Sequence, residues 1–132
     1  IAWEDESKRI IRYSPDESWT WDEFFAAKER ANNLMDTVSH KLGVIVVAPP
    51  TAVLPPNLLA NARKALRNKH PNTVVIVIVT AHPLIRTMIH TVRGIARLAT
   101  TRVELADNLD EARAIINARL RAYDTSTTLS NR

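Results

Sequence analysis

The chain has 132 residues, of which 45% are hydrophobic and 24% are charged, and its formal net charge is +4. This length and composition are typical of a single globular domain with one hydrophobic core. Because the chain has no cysteine, disulfide bonds, thiolate nucleophiles and cysteine-ligated metal sites are excluded. Two glycines are too few for a glycine-rich phosphate loop, and no apolar run approaches the roughly 20 residues of a membrane-spanning helix. We therefore expect a cytoplasmic domain without a membrane span.

The first third of the chain predicts a β-hairpin and a long helix. Residues 1–4 and 9–13 are short apolar segments separated by a polar turn, which is typical of two paired strands. Thr20 and Glu23 have the spacing of a capping box, which predicts that a helix begins there. Apolar residues then recur at helical spacing, so that the helix is expected to end near residue 40. These residues are Trp21, Phe24, Phe25, Ala31, Leu34, Met35, Val38 and Leu42.

The middle of the chain predicts two buried strands, each followed by a helix. Residues 44–48 and 74–79 are continuous runs rich in β-branched residues, with no alternation between apolar and polar positions. Such runs are typical of central parallel strands that are buried on both faces. One helix is predicted at residues 57–68. Another begins at Pro83, since proline is favoured at the first position of a helix.

The last third of the chain predicts an edge strand and a final helix. The strand is expected at residues 102–105 and the helix at residues 108–123, followed by a frayed tail at residues 124–132. The predicted order is β-β-α-β-α-β-α-β-α. Residues 1–123 should therefore form one α/β domain, with a five-stranded mixed sheet and helices packed on it.

Three local patterns accompany this order of elements. They are the sequence Trp-Thr-Trp-Asp-Glu at residues 19–23, the apolar strand leading into Thr-Ala-His-Pro-Leu at residues 80–84, and the segment at residues 105–113 that leads into the last helix. Together with the order of elements, over nearly the whole chain, they resemble the STAS-like group (sulfate transporter and anti-sigma-factor antagonist), and most of all its SpoIIAA-like branch. The resemblance implies a fold used for switching between protein partners or for holding small apolar and nucleotide ligands.

One segment departs from the pattern of that group. Anti-sigma-factor antagonists carry a phosphorylatable serine in the turn after the third strand. The corresponding residues 48–57 contain no Ser, Asp or Gly, and Thr51 is their only hydroxyl residue. We therefore do not expect this chain to be switched by phosphorylation in the manner of the group.

Charge is distributed very unevenly along the chain. Residues 37–103 contain no Asp or Glu but nine Lys or Arg residues and all four histidines, whereas the flanks together have a net charge of −5. On the predicted third helix, basic residues recur every three or four positions and so share one face. This row, with an extension on the preceding helix, consists of Arg86, His90, Arg93, Arg97, Arg63 and Arg67. It is either an ordinary solvated face or a surface that binds an acidic or anionic partner.

A second candidate site lies at the carboxyl ends of the predicted strands, where ligands of α/β sheets commonly bind. Two loops meet there, at residues 48–57 and 80–83. Thr80 and His82 stand beside a helix N-terminus, whose free N–H groups attract anions. The first loop is apolar and contains four prolines. The two loops predict a pocket for a small anion or amphiphile, unless the proline-rich loop simply packs over the edge of the sheet.

Catalysis, metal binding and specific nucleic-acid binding are not expected. The candidate loops contain no carboxylate for acid–base chemistry. His82 and His90 are about 12 Å apart along a helix, too far to share a metal ion. Residues 37–103 contain no aromatic residue on which a base could stack. We expect no cofactor and no catalytic residue.

The sequence favours a non-enzymatic regulatory or interaction domain whose basic third helix recognises an acidic protein partner, a second copy of the chain in a homodimer, or another anion. One alternative is a domain that binds a small anion or amphiphile. The other is a weak, non-specific nucleic-acid binder.

Overall fold

The structure is a computed structural model that describes residues 1–67, 69–96 and 102–130. Strands and helices alternate after an initial pair of strands, which confirms the predicted α/β order. The elements are β1 (Ala2–Trp3), β2 (Ile10–Tyr13), α1 (Trp21–Met35), β3 (Leu42–Val47), α2 (Leu58–Arg67), β4 (Thr73–Val79), α3 (Pro83–Ala96), β5 (Arg102–Ala106) and α4 (Leu109–Ser130).

The five strands form one mixed sheet in the order β1-β2-β3-β4-β5. β1 is antiparallel to β2, and all other neighbours are parallel. In the centre, Val44 pairs with Ile76, which pairs with Val103. Because strands that follow one another in sequence are also neighbours in space, right-handed connections place α1, α2 and α3 on one face of the sheet. α4, which follows the last strand, packs on the opposite face.

The core between the sheet and α4 is closely packed. Ile45, Val75 and Val77 of the sheet are fully buried and belong to one cluster with Ile116 of α4. Gly43 allows the helix to approach: a Cβ atom at this position would lie 2.5 Å from Cγ2 of Ile116. Glycine is therefore required where the helix crosses β3.

The core on the other face is divided into two clusters. The α1 cluster lies under the end of α1 and contains Ile11, Ala31, Met35 and Leu42. The α3 cluster lies under α3 and contains Ala48, Ile85, Ile89 and Val103. Between the clusters, the side chains of β3 and β4 on this face remain only half-buried. The prediction that both strands are buried on both faces is therefore correct only for the face towards α4.

α1 begins where the sequence predicts. Oγ1 of Thr20, the N-cap residue, accepts a hydrogen bond from the backbone N–H of Glu23 at 3.1 Å. The ring of Trp19, which precedes the cap, lies 5.7 Å from the ring of Phe24. This contact has the geometry of a hydrophobic staple, which fixes the angle at which the chain enters the helix.

α1 ends at Met35 rather than near residue 40. Oγ1 of Thr37 donates to the carbonyl oxygen of Leu34 at 2.6 Å, a local bond that competes with continuation of the helix. Val38 packs against the α1 cluster from the following loop, and Leu42 is the first residue of β3. The helical spacing of Val38 and Leu42 is thus a coincidence.

α4 extends beyond its predicted end at residue 123 and continues to Ser130. Residues 124–130 contain no Gly or Pro that would end a helix, which explains the difference from the tail predicted at residues 124–132. Residues 131 and 132 lie outside the described part of the chain.

Ion pairs fasten the N-terminal hairpin to α4. Nε and Nη2 of Arg113 donate to the two carboxylate oxygens of Glu4 at 2.6 and 3.2 Å, and Nη1 of Arg12 lies 3.1 Å from Glu4 Oε1. The Glu4 side chain is only 9% exposed. The hydrogen bonds from Arg113 hold the pKa of Glu4 below its ordinary value, against the opposing effect of burial.

Candidate functional site

A cavity of about 180 Å³ lies between the sheet and helices α1, α2 and α3. It occupies the gap between the α1 cluster and the α3 cluster. On the sheet side it is lined by the half-buried residues of β3 and β4, which are Val44, Val46, Ile76 and Ile78. Protein interiors ordinarily contain few voids larger than one water molecule. A cavity of this size in a 132-residue chain is therefore a feature that needs a physical explanation.

Two of the three α2 side chains that line the cavity are small. Leu58, Ala62 and Ala65 recur at helical spacing and line the cavity. Ala31 of α1 lines it as well. A larger apolar residue at Ala62 or Ala65 would project into this space.

The side of α1 that faces the cavity is apolar except for two residues. Its members, at intervals of one to four residues, are Trp21, Phe24, Lys28, Ala31, Asn32 and Met35. Lys28 and Asn32 lie one turn apart in the middle of this side. Burial lowers the pKa of the Lys28 ammonium below its usual value, because apolar surroundings disfavour the charged form.

A second polar group lines the cavity near the start of β4 and consists of Lys69, His70 and Thr73. Burial also lowers the pKa of Lys69. Nδ1 of His70 accepts from the backbone N–H of Asn72 at 3.1 Å, so that in the neutral ring the proton is on Nε2. Nε2 then donates to Oδ1 of Asp36 at 2.7 Å. This pair ties the end of α1 to the start of β4.

Aromatic side chains line the opposite end of the cavity. The rings of Trp19 and Trp21 are 4.9 Å apart, and both contact Phe24. Nε1 of Trp21 donates to the carbonyl oxygen of Pro56 at 2.7 Å, which ties the start of α1 to the loop before α2. Nε1 of Trp19 is buried and has no acceptor among the described residues. A buried donor without an acceptor costs about 1–3 kcal/mol, which an acceptor atom on a ligand would remove.

The structure places the cavity away from the pocket that the sequence predicts between two loops. Residues 48–57 contribute only Ala48 and Leu54 to its lining, and residues 80–83, all of which are described, contribute none. A ligand crevice at the carboxyl ends of strands forms where connections from adjacent strands leave to opposite faces. The connections between β2 and β5 all cross the same face, so no such crevice opens between those strands.

The rest of the proline-rich loop packs against the segment before α1. The backbone N–H of Val53 donates to the carbonyl oxygen of Glu17 at 2.8 Å, and Oγ1 of Thr51 donates to Glu17 Oε1 at 2.9 Å. Ser18 and Val53 form a parallel β-bridge. This arrangement corresponds to the alternative in which the loop packs over the edge of the sheet.

Thr80 and His82 interact with each other at the start of α3. Thr80 is buried, and its Oγ1 accepts from the backbone N–H of His82 at 3.0 Å. Nδ1 of His82 accepts from the backbone N–H of Leu84 at 3.2 Å. These bonds satisfy two N–H groups that the anion-binding hypothesis assigns to a ligand.

One member of the basic row on α3, Arg86, forms hydrogen bonds within the fold. Nη1 of Arg86 donates to the carbonyl oxygen of Thr80 at 3.0 Å and to Oδ1 of Asp107 at 3.3 Å. Arg86 therefore joins α3 to the ends of β4 and β5, and Asp107, which follows the stretch 37–103 that has no acidic residue, offsets part of its charge. His90 is exposed.

The other predicted basic residues are described to different extents. Arg63 and Arg67 are exposed on α2, which packs beside α3. Arg93 belongs to α3, but its side chain lies outside the described part of the structure, and Arg97 lies outside it entirely. The described portion of this surface is therefore formed by Arg63, Arg67 and His90, with Arg86 at its edge.

No three His, Asp or Glu side chains within residues 1–67, 69–96 and 102–130 are grouped closely enough to hold a metal ion. None of the helices in these ranges is long and apolar enough to cross a membrane. The chain was compared with family models, curated proteins and solved structures, and none of them matched.

The predicted site omits the residues that line the cavity, although the sequence contains a signal for one of them. Lys28 stands seven residues after Trp21 and seven before Met35, at a position where the period of α1 requires an apolar residue. A charged residue in the middle of an apolar stripe marks either a close polar partner or a ligand. The alanines of α2 give no comparable signal, because alanine is common on both exposed and buried helix faces.

Proposed function

We propose that this protein is a non-enzymatic domain that binds a small amphiphile in the cavity between the sheet and helices α1, α2 and α3. The observation that carries the proposal is the cavity itself. Apolar side chains that face an open space make fewer packing contacts than those of a filled core, and apolar surface that stays in contact with water forgoes about 25 cal/mol per Å². A ligand that fills the space would supply both contributions.

The size and chemistry of the cavity define the apolar part of such a ligand. An engineered apolar cavity of about 150 Å³ in another protein holds one benzene molecule. A cavity of about 180 Å³ therefore suits an apolar group of about six to eight carbon atoms. Its lining consists mainly of aliphatic and aromatic side chains, with a few polar groups at separate points, as is usual for small-molecule sites.

The test is a titration with straight-chain alcohols from butanol to decanol, followed by the fluorescence of Trp19 and Trp21, which line the cavity. Each added CH₂ group contributes about 0.8 kcal/mol, so affinity should rise about fourfold per carbon until the chain fills the cavity. It should then level off near seven or eight carbons. Affinity that is absent, or that rises without limit as for a surface or micelle, would refute the proposal.

A matched pair of variants locates the binding site. Ala65→Leu places three additional carbon atoms in the cavity and should abolish binding of hexanol. Ala60→Leu makes the same change on the exposed side of α2 and should leave binding intact. Equal affinities in the two variants would place the alcohol site elsewhere.

We also propose that the chain belongs to the STAS-like group, in its SpoIIAA-like branch. The order of elements supports this, since it is the order on which the resemblance rests. A crystal structure that reveals a different strand order would contradict it.

A second candidate function is recognition of an acidic partner, including a second copy of the chain. It is supported by the exposure of Arg63, Arg67 and His90 on two neighbouring helices. If the protein forms a homodimer through this surface, Arg63→Glu with Arg67→Glu should convert it to a monomer in analytical ultracentrifugation, and high salt should do the same. A monomer at all salt concentrations excludes the homodimer. An oligonucleotide that binds with a steep salt dependence would instead support the nucleic-acid alternative.

A further inference from the structure

The charged side chains that line the cavity are already engaged within the protein. Lys28 and Lys69 each interact with another group of the fold. Both ring nitrogens of His70 are used as well, since Nδ1 accepts from the backbone N–H of Asn72 and Nε2 donates to Asp36. The described part of the lining contains no Asp or Glu. An ion that entered this space would therefore meet, among these residues, no free group of opposite charge, and burial of an unpaired ion is costly.

Two polar groups at the aromatic end of the cavity have no hydrogen-bond partner among the described residues. One is the indole N–H of Trp19, which is buried. The other is the hydroxyl of Tyr13, a half-buried residue that also lines the cavity. The rings of Trp19 and Tyr13 both pack against the ring of Phe24, with their centres 5.7 and 5.9 Å from its centre. The two groups therefore belong to one small region of the lining.

The hydroxyl of Tyr13 keeps its proton and can donate it. Burial raises the pKa of Tyr13 above its ordinary value, and the negative charge of Glu23 raises it further, while Arg30 acts in the opposite direction. Trp19 can only donate, since an indole has no acceptor atom. The oxygen of a ketone or an alcohol has two lone pairs and can accept from both groups at once.

We infer that the ligand is an uncharged amphiphile, a ketone or an alcohol, whose oxygen accepts hydrogen bonds from Tyr13 and Trp19 and whose alkyl chain fills the cavity. This inference rests on the proposed function, because it assigns the head group of a ligand whose tail the cavity holds. A carboxylate or a nucleotide fits less well, since the negative charge of Glu23 that acts on the Tyr13 hydroxyl would also repel an anion bound there.

The experiment uses four compounds with alkyl chains of similar length, which are 2-heptanone, 1-chlorohexane, heptanoate and heptylamine. The ketone carries an uncharged acceptor oxygen, the chloroalkane carries only a poor acceptor, and the other two compounds are ions at pH 7. Isothermal titration calorimetry measures their affinities for the wild-type protein and for Tyr13→Phe and Trp19→Phe, each of which removes one donor. Trp21→Phe is the matched control, because Trp21 also lines the cavity but its N–H already donates to Pro56.

In the wild type, 2-heptanone should bind at least tenfold more tightly than heptanoate or heptylamine. Tyr13→Phe and Trp19→Phe should each lower the ratio of 2-heptanone affinity to 1-chlorohexane affinity about two- to tenfold, which corresponds to the loss of one hydrogen bond between uncharged groups. Trp21→Phe should leave that ratio unchanged. Retained binding of 1-chlorohexane shows that a variant is folded and that its cavity is intact.

The possible failures are distinguishable. If heptanoate or heptylamine binds more tightly than 2-heptanone, the ligand is an ion, so the inference is overturned while the cavity remains a ligand site. If Tyr13→Phe and Trp19→Phe change the ratio no more than Trp21→Phe does, the head group is not bound by these two donors and the inference is again overturned. If none of the four compounds binds, the proposed function itself fails and this inference fails with it.

Discussion

The two faces of the sheet are built from similar strand residues but reach different packing. On the face towards α4, Val75 and Val77 are fully buried against Ile116. On the face towards α1, α2 and α3, Ile76 and Ile78 of the same strand are only half-buried, because a cavity separates them from the helices. Apolar side chains thus form a tight core on one face and line a cavity on the other. The difference comes from the helices that cover the two faces, which are α4 on one and α1, α2 and α3 on the other.

The largest expected effect is a contrast between two isoleucine truncations. Ile116→Ala removes a fully buried side chain from the α4 face and should lower the free energy of unfolding by about 3–4 kcal/mol. Ile78→Ala removes a half-buried side chain from the cavity wall and should cost about 1–2 kcal/mol. Urea unfolding measures both. Equal losses would mean that the cavity face is packed as tightly as the α4 face in solution.

A methyl group at Gly43 should also destabilise the α4 face. Gly43→Ala places a Cβ atom 2.5 Å from Cγ2 of Ile116, and overpacking of this kind costs about 1–3 kcal/mol. Combining it with Ile116→Ala removes the three side-chain atoms that the new Cβ would meet, so Gly43→Ala should cost little in that background. Strictly additive losses in this double-mutant cycle would argue against the close contact.

Enlarging an alanine should have opposite effects on the two faces. Ala112→Leu adds carbon atoms to a fully buried position on α4 and should destabilise the protein by about 1–3 kcal/mol. Ala65→Leu fills part of the cavity and should stabilise the ligand-free protein by about 1 kcal/mol. The melting temperatures of the two variants should therefore move in opposite directions. A decrease in both would show that α2 has no free space beneath it.

The smallest expected effect is a loss of stability at low pH. The pKa of Glu4 is lowered in the folded protein, so its pairing with Arg113 stabilises the fold above the ordinary Glu pKa of about 4.5. That contribution, about 1 kcal/mol, should be lost as pH falls through the lower folded-state pKa. Glu4→Gln should be less stable than wild type at pH 7, and the difference should shrink below pH 4. A constant difference across this range would mean that the ion pair contributes nothing.

Much of the fold follows from local patterns in the sequence. The runs of β-branched residues at 44–48 and 74–79 mark the two central strands, and Thr20 with Glu23 marks the start of α1. Each of these signals lies within one short segment, so the element can be recognised without knowledge of the rest of the fold. The helical spacing places the end of α1 too late, because Leu42 continues that spacing but pairs with Thr73 in the sheet, a contact that depends on distant residues.

The cavity was only partly predictable. The sequence predicts an apolar pocket with polar groups, but places it between two loops. The actual position of the cavity depends on the distance between α2 and the sheet. That distance is set by Ala62 and Ala65 together with strand residues elsewhere in the chain. Arg86 illustrates the same limit: its spacing suggests a free basic face, whereas Asp107, from a later part of the chain, supplies a partner at 3.3 Å.

The two attachments of α1 have a thermodynamic consequence. Nε1 of Trp21 donates a hydrogen bond to Pro56 at the start of the helix, and His70 donates one to Asp36 just after its end, so both ends of this wall of the cavity are held to neighbouring segments. Alkyl chains that enter a preformed, poorly hydrated space often bind with favourable enthalpy at 25 °C, and the heat capacity of the system falls as apolar surface is buried. Calorimetry at several temperatures should reveal both the favourable binding enthalpy and the fall in heat capacity. Removing the Trp21–Pro56 or the His70–Asp36 hydrogen bond should make the binding entropy less favourable, because the ligand would then have to order the helix.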